Sequence, residues 1–342
     1  MTSARGSSAT ARPAPHPAGM FAIPFGLAGL AVCWLVAGRM DLAPVAVGGV
    51  LLAVSAAVWI AVLVAYVRGL RPVGAALRQD LTDRTAGPFV PLAVLTPVVV
   101  AAQGVHPLSP AVGRLLVDVL LVLVLLLGAW FTGDWIFGSV GRDQIHPGWF
   151  VPTVAGGIVT ASAAAAVGRP TVALVVFGLG VLTWAMLGPL VLTRLITGPT
   201  LPVPLRPALA IEVAPAAVAS TAWFALNGER IDVLALALGG YGLVMVLAQV
   251  RLLPLFLHLP LMPSTWAFVF SWAAVVTAGL HWLTILAPPG LAVYAYALLA
   301  AITVLGGGVA ARTVIALVQH RLVPARPAAD VEPRQERGVG LA

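Results

Sequence analysis

Few side chains in this sequence could carry out acid–base or ionic chemistry, because only 9% of its 342 residues are charged. Glu212 stands out among them. It lies in an apolar stretch one turn before Pro215, with only Arg206 nearby in sequence. An ionisable group in a membrane-embedded stretch is a candidate proton or ion site. We predict that Glu212 is either a proton or pH site or an interfacial carboxylate near the mouth of a path.

A second carboxylate lies in an apolar run with a basic neighbour. Asp118 follows Arg114 by four residues. Residues four apart share one face of a helix, where opposite charges attract. The spacing predicts an ion pair within one helix, which would give Asp118 a structural role.

Several classes of chemistry are excluded by residues that the chain lacks. It contains no lysine, so a Schiff-base enzyme and a Walker-type phosphate loop are excluded. Its one cysteine, Cys33, supports neither a disulfide framework nor a cysteine zinc site. His146, His258 and His281 have no metal-ligand spacing. We expect no metal, no cofactor and no enzymatic activity. A membrane enzyme acting on lipid or quinone remains an alternative, although few acid–base groups converge.

These residues must be positioned by an all-α integral membrane protein. Hydrophobic residues make up 60% of the chain, and its mean hydropathy is +1.02. A helix needs about 20 apolar residues to cross a bilayer. Ten segments meet this requirement, at residues 20–37, 44–67, 88–103, 112–131, 148–167, 170–193, 208–226, 231–254, 264–287 and 291–318.

The ends of the chain differ from this apolar body. Residues 1–19 and 321–342 are rich in proline, alanine and arginine and lack periodic apolar residues. Such composition is typical of disordered segments. We predict one ten-helix domain over residues 20–320, with a disordered tail at each end.

The arginines indicate how the chain crosses the membrane. With the N-terminus inside, 15 arginines fall on the cytoplasmic side and 4 on the other. Basic loops remain cytoplasmic, so both termini are predicted to be cytoplasmic. The net charge of +7 is then a topological signal and an attraction to anionic lipid. It does not indicate nucleic-acid binding.

Prolines inside the spans fall mainly in odd-numbered ones. A proline bends a helix and frees a backbone carbonyl, which must find another partner in a membrane. The pattern predicts five helical hairpins whose odd members form a kinked inner ring around a central pore. Optimised packing, as in a purely structural protein, is the alternative. The interior prolines of odd spans are Pro24, Pro91, Pro97, Pro152 and Pro215, and Pro189 is the exception in an even span.

The segment PAGMFAIPFG at 17–26 resembles the PAGYFGI opening of the TehA-like tellurite-resistance/dicarboxylate transporter family, to which plant guard-cell slow anion channels are related. Four further segments are similar to its fifth, seventh, eighth and ninth spans, in order and with the family's spacing. They are 146–168, 214–228, 240–254 and 265–281. The resemblance extends from about residue 17 to about residue 320.

The resemblance implies ten helices, five of them around a pore, in homotrimers whose protomers each have their own pore. It implies movement of small anions, such as chloride, nitrate or malate-like dicarboxylates. We therefore expect an anion channel or carrier of the bacterial plasma membrane, gated by a phenylalanine. A proton-coupled dicarboxylate transporter and a tellurite-resistance exporter remain alternatives.

The resemblance also implies a gate at the second phenylalanine of the ninth-span motif, which is Phe270 in this chain. A phenylalanine in a narrow path forms a hydrophobic constriction. Phe268 lies two residues away, about 200° around a helix, and cannot share its face. Ala22 and Val218 occupy positions that line the pore in the family.

Further lining candidates follow from the prolines and their neighbours, although ordinary packing accounts for them equally well. Ile211, Ala214 and Ala222 would continue the lining of the seventh span. The main predicted lining set is Phe21, Ala22, Pro24, Thr96, Pro97, Pro152, Thr153, Pro215 and Val218.

The chain departs from the family at polar positions. Gly156 and Gly157 replace paired asparagines in the fifth span, Gly188 replaces a glutamate in the sixth, and Ser271 replaces the glycine after the gate. A coupling mechanism that uses those groups is therefore in doubt. Selectivity is expected from pore width, Phe270, helix dipoles and cytoplasmic arginines.

Overall fold

The computed structural model describes residues 17–70 and 73–319. The disordered tails predicted at 1–19 and 321–342 lie outside the described residues, apart from residues 17–19. Those three residues belong to the first helical segment, Pro17–Phe21.

The described chain is entirely helical and contains ten helices long and apolar enough to cross a membrane. This confirms the predicted fold class and number of spans. The largest shifts are at span 4, which continues to Phe137, at span 3, which continues to Leu108, and at span 7, which begins at Val203. In order, the spans are Ala18–Arg39, Val45–Gly69, Gly87–Leu108, Pro110–Phe137, Pro147–Ala166, Pro170–Thr197, Val203–Asn227, Val233–Leu257, Pro263–Leu286 and Leu291–Val318.

Odd and even spans differ in regularity. Each even span is one uninterrupted α-helix. Each odd span begins with a 3-10 segment, and spans 3 and 5 also contain a π-helical turn, at Ala101–Val105 and Val151–Ala155. The main α-helices of the odd spans are Ala22–Arg39, Leu92–Val100, Gly156–Ala166, Ala214–Asn227 and Trp266–Leu286.

Odd spans are also the more buried ones. In their most apolar stretches, 39–78% of residues are buried, against 17–22% in even spans. Exposed leucines and valines on even spans form the apolar surface that lipid requires. The spans therefore fall into a buried set and a lipid-facing set.

Contacts between spans follow the same division. Each odd span contacts the even span that follows it. The odd spans also contact one another in the order 1, 9, 7, 5, 3 and back to 1. If the chain crosses the membrane at every span, all odd spans run in the same direction.

Donors on even spans bond to irregular backbone on odd spans. Pro97 has no N–H, so the carbonyl of Ala93, four residues earlier, loses its helical partner. Trp59 of span 2 donates its indole N–H to that carbonyl at 2.8 Å. Gln249 of span 8 donates to the Leu209 carbonyl in the 3-10 segment of span 7, also at 2.8 Å. The kinks are stable in an apolar environment because such partners exist.

A short helix, Val73–Thr82, lies between spans 2 and 3. The Tyr66 hydroxyl of span 2 donates to Asp80 Oδ2 at 2.6 Å. Beyond the helix, Arg84 forms an ion pair with Asp134 near the end of span 4. These contacts join the connection to spans 2 and 4.

The ion pair predicted within span 4 is wrong. Asp118 accepts a hydrogen bond from Arg169 Nη2 at 2.7 Å. Arg114 instead donates from Nε to the Val167 carbonyl at 3.2 Å. Both side chains turn toward the end of span 5, because a charged partner and a terminal carbonyl are available there.

Candidate functional site

Two cavities lie along the interior, and the side chains that line them come from odd spans alone. The first, which we call the N-side cavity, is lined by the beginnings of these spans and has a volume of about 60 Å³. Representative lining residues from spans 1, 3, 5, 7 and 9 are Ala22, Leu92, Val154, Pro215 and Trp266.

The second, the C-side cavity, is lined by the later parts of the same spans. Its volume is about 340 Å³. Representative lining residues, again one from each odd span, are Val36, Ala102, Ala163, Thr221 and Thr277. The two cavities therefore follow one another along the direction of the odd spans.

Three residues line both cavities: Phe25, Val218 and Phe270. The rings of Phe25 and Phe270, the Phe pair, are stacked with centroids 4.0 Å apart and an interplanar angle of 26°. Contacts between aromatic rings are favourable. The Phe pair and Val218 lie at the boundary between the cavities.

Small residues on span 1 bring the Phe pair together. A Cβ on Gly26 would lie 2.7 Å from Trp266 Cε3, and one on Gly29 would lie 3.2 Å from Ala273 Cβ. Cys33 then donates its thiol to the Ala273 carbonyl at 3.2 Å. Spans 1 and 9 thus approach closely along one glycine-containing face, which places Phe25 against Phe270.

Phe268 has a different environment. Its ring packs edge-to-face on Phe256 of span 8, with centroids 4.7 Å apart, and it is 8% exposed. It lines neither cavity. The two phenylalanines of the ninth-span motif therefore face opposite ways, as their spacing predicts.

Some predicted lining residues do reach a cavity. Ala22 and Pro215 line the N-side cavity, and Val218 lines both. Ile211 and Ala214 also line the N-side cavity. The four residues of span 7 have the spacing i, i+3, i+4 and i+7 of one helix face, which is why they meet the same space.

Other predicted lining residues turn away from both cavities. Phe21 is fully buried and packs edge-to-face on Tyr66 of span 2, with centroids 5.3 Å apart. The Pro24 carbonyl accepts a hydrogen bond from Ser55 of span 2 at 2.7 Å. These contacts place the two residues between spans 1 and 2, and the cavity-facing aromatic residue of span 1 is Phe25.

Candidates on spans 3, 5 and 7 also lie between helices. Thr96 is fully buried and donates to the Leu92 carbonyl at 3.0 Å. The Pro152 carbonyl and Thr153 Cγ2 lie against Gly128 of span 4. Neither these residues nor Pro97 and Ala222 line either cavity. The prolines bend the spans, and mostly their neighbours form the walls.

Glu212 lies off both cavities. Its Oε1 atom is buried and has no hydrogen-bond partner among the described residues, and the 3-10 segment that carries it contacts span 8, which includes Tyr241. The Tyr241 ring packs edge-to-face on Trp184 of span 6, at 5.2 Å. The structure thus places Glu212 toward the outer spans.

Gly157, one of the two glycines at positions where the resemblance implies asparagines, has a packing reason. A Cβ on Gly157 would lie 2.5 Å from the backbone nitrogen of Gly180 in span 6. A Cβ on Gly180 would in turn meet Ile158 Cγ1 at 2.6 Å. No side chain fits where these two backbones approach, so close packing excludes a polar side chain at Gly157.

Sequence reasoning missed Phe25 and the polar residues of the C-side cavity, among them Arg39, Gln103 and His281. Phe25 directly follows Pro24 and lies one turn beyond Phe21, which is a usable signal for a second aromatic residue on span 1. The polar residues gave no signal, because each lies near a predicted span end. Within the described residues, no group of three or more His, Cys, Asp or Glu could hold a metal ion.

Comparison with known proteins agrees with this architecture. A family model described as "Voltage-dependent anion channel" (SLAC1) matches residues 16–314. The chain is also similar to the tellurite resistance protein TehA homolog of Haemophilus influenzae, at 28% identity over 268 residues. That alignment covers 78% of this chain and 81% of the relative. The chain therefore belongs to the SLAC1/TehA voltage-dependent anion channel family, whose members are non-enzymatic membrane transport proteins.

Proposed function

We propose that the protein is a channel for small anions whose path runs through each protomer from the N-side cavity, past the Phe pair, to the C-side cavity. One observation carries this proposal. The two cavities are lined by odd spans alone and share the residues Phe25, Val218 and Phe270. Transport along a path with a single boundary of this kind requires neither a mobile cofactor nor a chemical reaction.

The Phe pair is the proposed gate, with Phe25 added to the predicted Phe270. Two stacked rings make a longer hydrophobic constriction than one, and water leaves such a constriction readily. An anion cannot cross a dry constriction without losing its hydration. Movement of either ring would therefore wet the path and open it.

The proposal includes the predicted inner ring of odd spans and five hairpins, supported by the burial difference and by the closed series of odd-span contacts. It also includes cytoplasmic termini, based on the arginine distribution. With that orientation the N-side cavity faces the cytoplasm. A homotrimer in the bacterial plasma membrane is proposed from the family resemblance.

Anion flux into liposomes that contain the purified protein tests the proposed function. We expect chloride or nitrate to move down its own gradient, with the same rate whether or not a pH gradient is imposed. Empty liposomes are the control. Absence of flux for halide, nitrate, dicarboxylate and tellurite would contradict the proposal.

A proton-coupled dicarboxylate carrier is the second candidate, favoured by the unpartnered, buried Glu212 Oε1. A protonated carboxyl group is less costly than an ionised one in such surroundings. If Glu212 couples protons to transport, Glu212→Gln abolishes accumulation driven by a pH gradient and leaves counterflow exchange. If it is a pH site of the channel, the same variant gives high, pH-insensitive flux. Unchanged flux and pH dependence would remove both roles.

A further inference from the structure

The lining of the C-side cavity includes a cationic side chain, Arg39, which was not among the selectivity elements predicted from the sequence. Arg39 is the one arginine among its lining residues, and no aspartate or glutamate lines it. The lining of the N-side cavity has no charged residue. The path is therefore electrostatically asymmetric, with its positive charge at the C-side.

The guanidinium of Arg39 has unused hydrogen-bonding capacity. Its one hydrogen bond among the described residues runs from Nη1 to Gln103 Oε1, at a long 3.4 Å. No carboxylate of the described chain pairs with it, whereas Arg84 and Arg169 pair with Asp134 and Asp118. A guanidinium carries five N–H donors, so most of those of Arg39 remain available.

Gln103 also lines the cavity and is oriented by Arg39. Because its amide oxygen accepts from Arg39, its amide NH₂ group remains available as a donor. The two side chains, from spans 1 and 3, present donors of N–H type and leave no oxygen of the pair unengaged. Such a set suits an anion and disfavours a cation.

The nearby acid, Glu229, forms an ion pair with His281 and none with Arg39 among the described residues. Glu229 lies at the end of span 7, and its Oε1 atom is 3.8 Å from Nδ1 of the cavity residue His281. Glu229 is half-exposed and is not among the lining residues. The volume of about 340 Å³ leaves room for a small anion together with several waters, since a water takes about 30 Å³ in the liquid.

We propose that Arg39 and Gln103 form a binding site for a small, partly hydrated inorganic anion in the C-side cavity. The site deepens the proposed function, because it would concentrate anions on one side of the Phe pair. A single unpaired cation with retained hydration binds weakly, as a conducting site must. The effect weakens at high salt, where the screening length falls from about 10 Å at 0.1 M to about 3 Å at 1 M.

Bromide provides a direct test, because its anomalous scattering locates it in crystals grown in sodium bromide. We expect a bromide peak beside Arg39 and Gln103 in the wild-type protein and none in Arg39→Gln. Gln103→Glu is a nearly isosteric second variant that leaves Arg39 in place and neutralises it, and it should also lose the peak. Arg230→Gln is the matched control, because Arg230 lies at the same end and does not line the cavity. It should keep the peak.

Single-channel recordings separate this site from the proposed function. Arg39→Gln should lower, several-fold at low salt, the anion current drawn from the C-side, and the difference should disappear near 1 M salt. A wild-type bromide peak without anion conduction would support the site and contradict the channel. Conduction without a peak, or a peak that persists in Arg39→Gln and Gln103→Glu, would overturn the site.

Discussion

The two cavities are built from the same five spans but differ in volume and in the side chains that an ion would contact. The N-side cavity is small and lined by apolar side chains apart from Ser264. The C-side cavity is larger and includes Arg39, Gln103, Ser162 and His281. The beginning of each odd span is a 3-10 segment that contains proline, whereas the polar lining residues lie mostly in the later parts of the spans. The difference suggests that attraction and exclusion of ions are separated along the path.

The largest effect is expected from joining the two cavities. Phe25→Ala combined with Phe270→Ala removes both rings of the constriction and should raise anion conductance many-fold. Each single variant should give a smaller rise, because one ring remains. Single-channel conductance in planar bilayers measures these effects.

Phe268→Ala is the matched control on the same helix. Its ring packs on Phe256 rather than at the boundary of the cavities, so conductance should stay at the wild-type level. Removing a packed phenylalanine costs about 3–5 kcal/mol of stability. Opening by Phe268→Ala, with Phe25→Ala and Phe270→Ala only destabilising, would place the gate elsewhere.

A smaller effect is expected where spans 1 and 9 approach. Gly26→Ala would bring a methyl group to 2.7 Å from Trp266 Cε3 and 3.2 Å from its carbonyl, so the spans must separate. Overpacking typically costs 1–3 kcal/mol, and separation of the Phe pair should raise the leak current. Thermal unfolding in detergent and conductance measure the two effects.

Gly49→Ala supplies the comparison for this variant, because no atom lies within 4 Å of a Cβ at Gly49 in span 2. It should leave stability and conductance unchanged. Alanine favours a helix more than glycine does, so helix propensity cannot account for a loss of stability. Equal loss of stability in the two variants would therefore show that the close approach of spans 1 and 9 does not determine the effect of Gly26→Ala.

Much of the fold and part of the candidate site could be predicted from the sequence, because apolar length and proline position act locally. The ten spans and the bends in odd spans follow from those signals, and the opposite directions of Phe268 and Phe270 follow from helical geometry. The direction of Phe21 could not be derived, because the 3-10 turn at Pro17–Phe21 changes the register of span 1. Nor could the partner of Asp118, because Arg169 lies 51 residues away and reaches it through the fold.

The last effect acts on stability rather than conductance and concerns His146, which precedes the 3-10 segment of span 5 beside the N-side cavity. Its Nδ1 accepts a hydrogen bond from the Gly148 amide at 3.1 Å. Burial lowers the pKa of His146 from 6.5 to about 4. As the pH falls, His146 is therefore protonated in the unfolded chain before it is protonated in the folded protein. The contribution of His146 to the free energy of unfolding should be fully present above pH 6.5. It should decrease as the pH falls toward 4, by roughly 1 kcal/mol per pH unit.

His146→Asn removes this titration while keeping a side-chain acceptor for the Gly148 amide. Thermal unfolding of the two proteins in detergent between pH 4 and pH 7 measures the difference. The variant should show a weaker pH dependence over the range where His146 titrates. Identical slopes would assign the acid sensitivity to other groups.

The central claim, that the Phe pair separates two cavities of one path, is tested most directly by side-specific labelling. In a Cys33→Ala background, a cysteine at Ala22 reports on the N-side cavity and one at Thr221 on the C-side cavity. A small, charged, membrane-impermeant thiol reagent should label each cysteine from its own side only. With Phe25→Ala and Phe270→Ala added, it should label both cysteines from either side. Labelling that stays one-sided in the double variant, or is two-sided before it, would contradict the account.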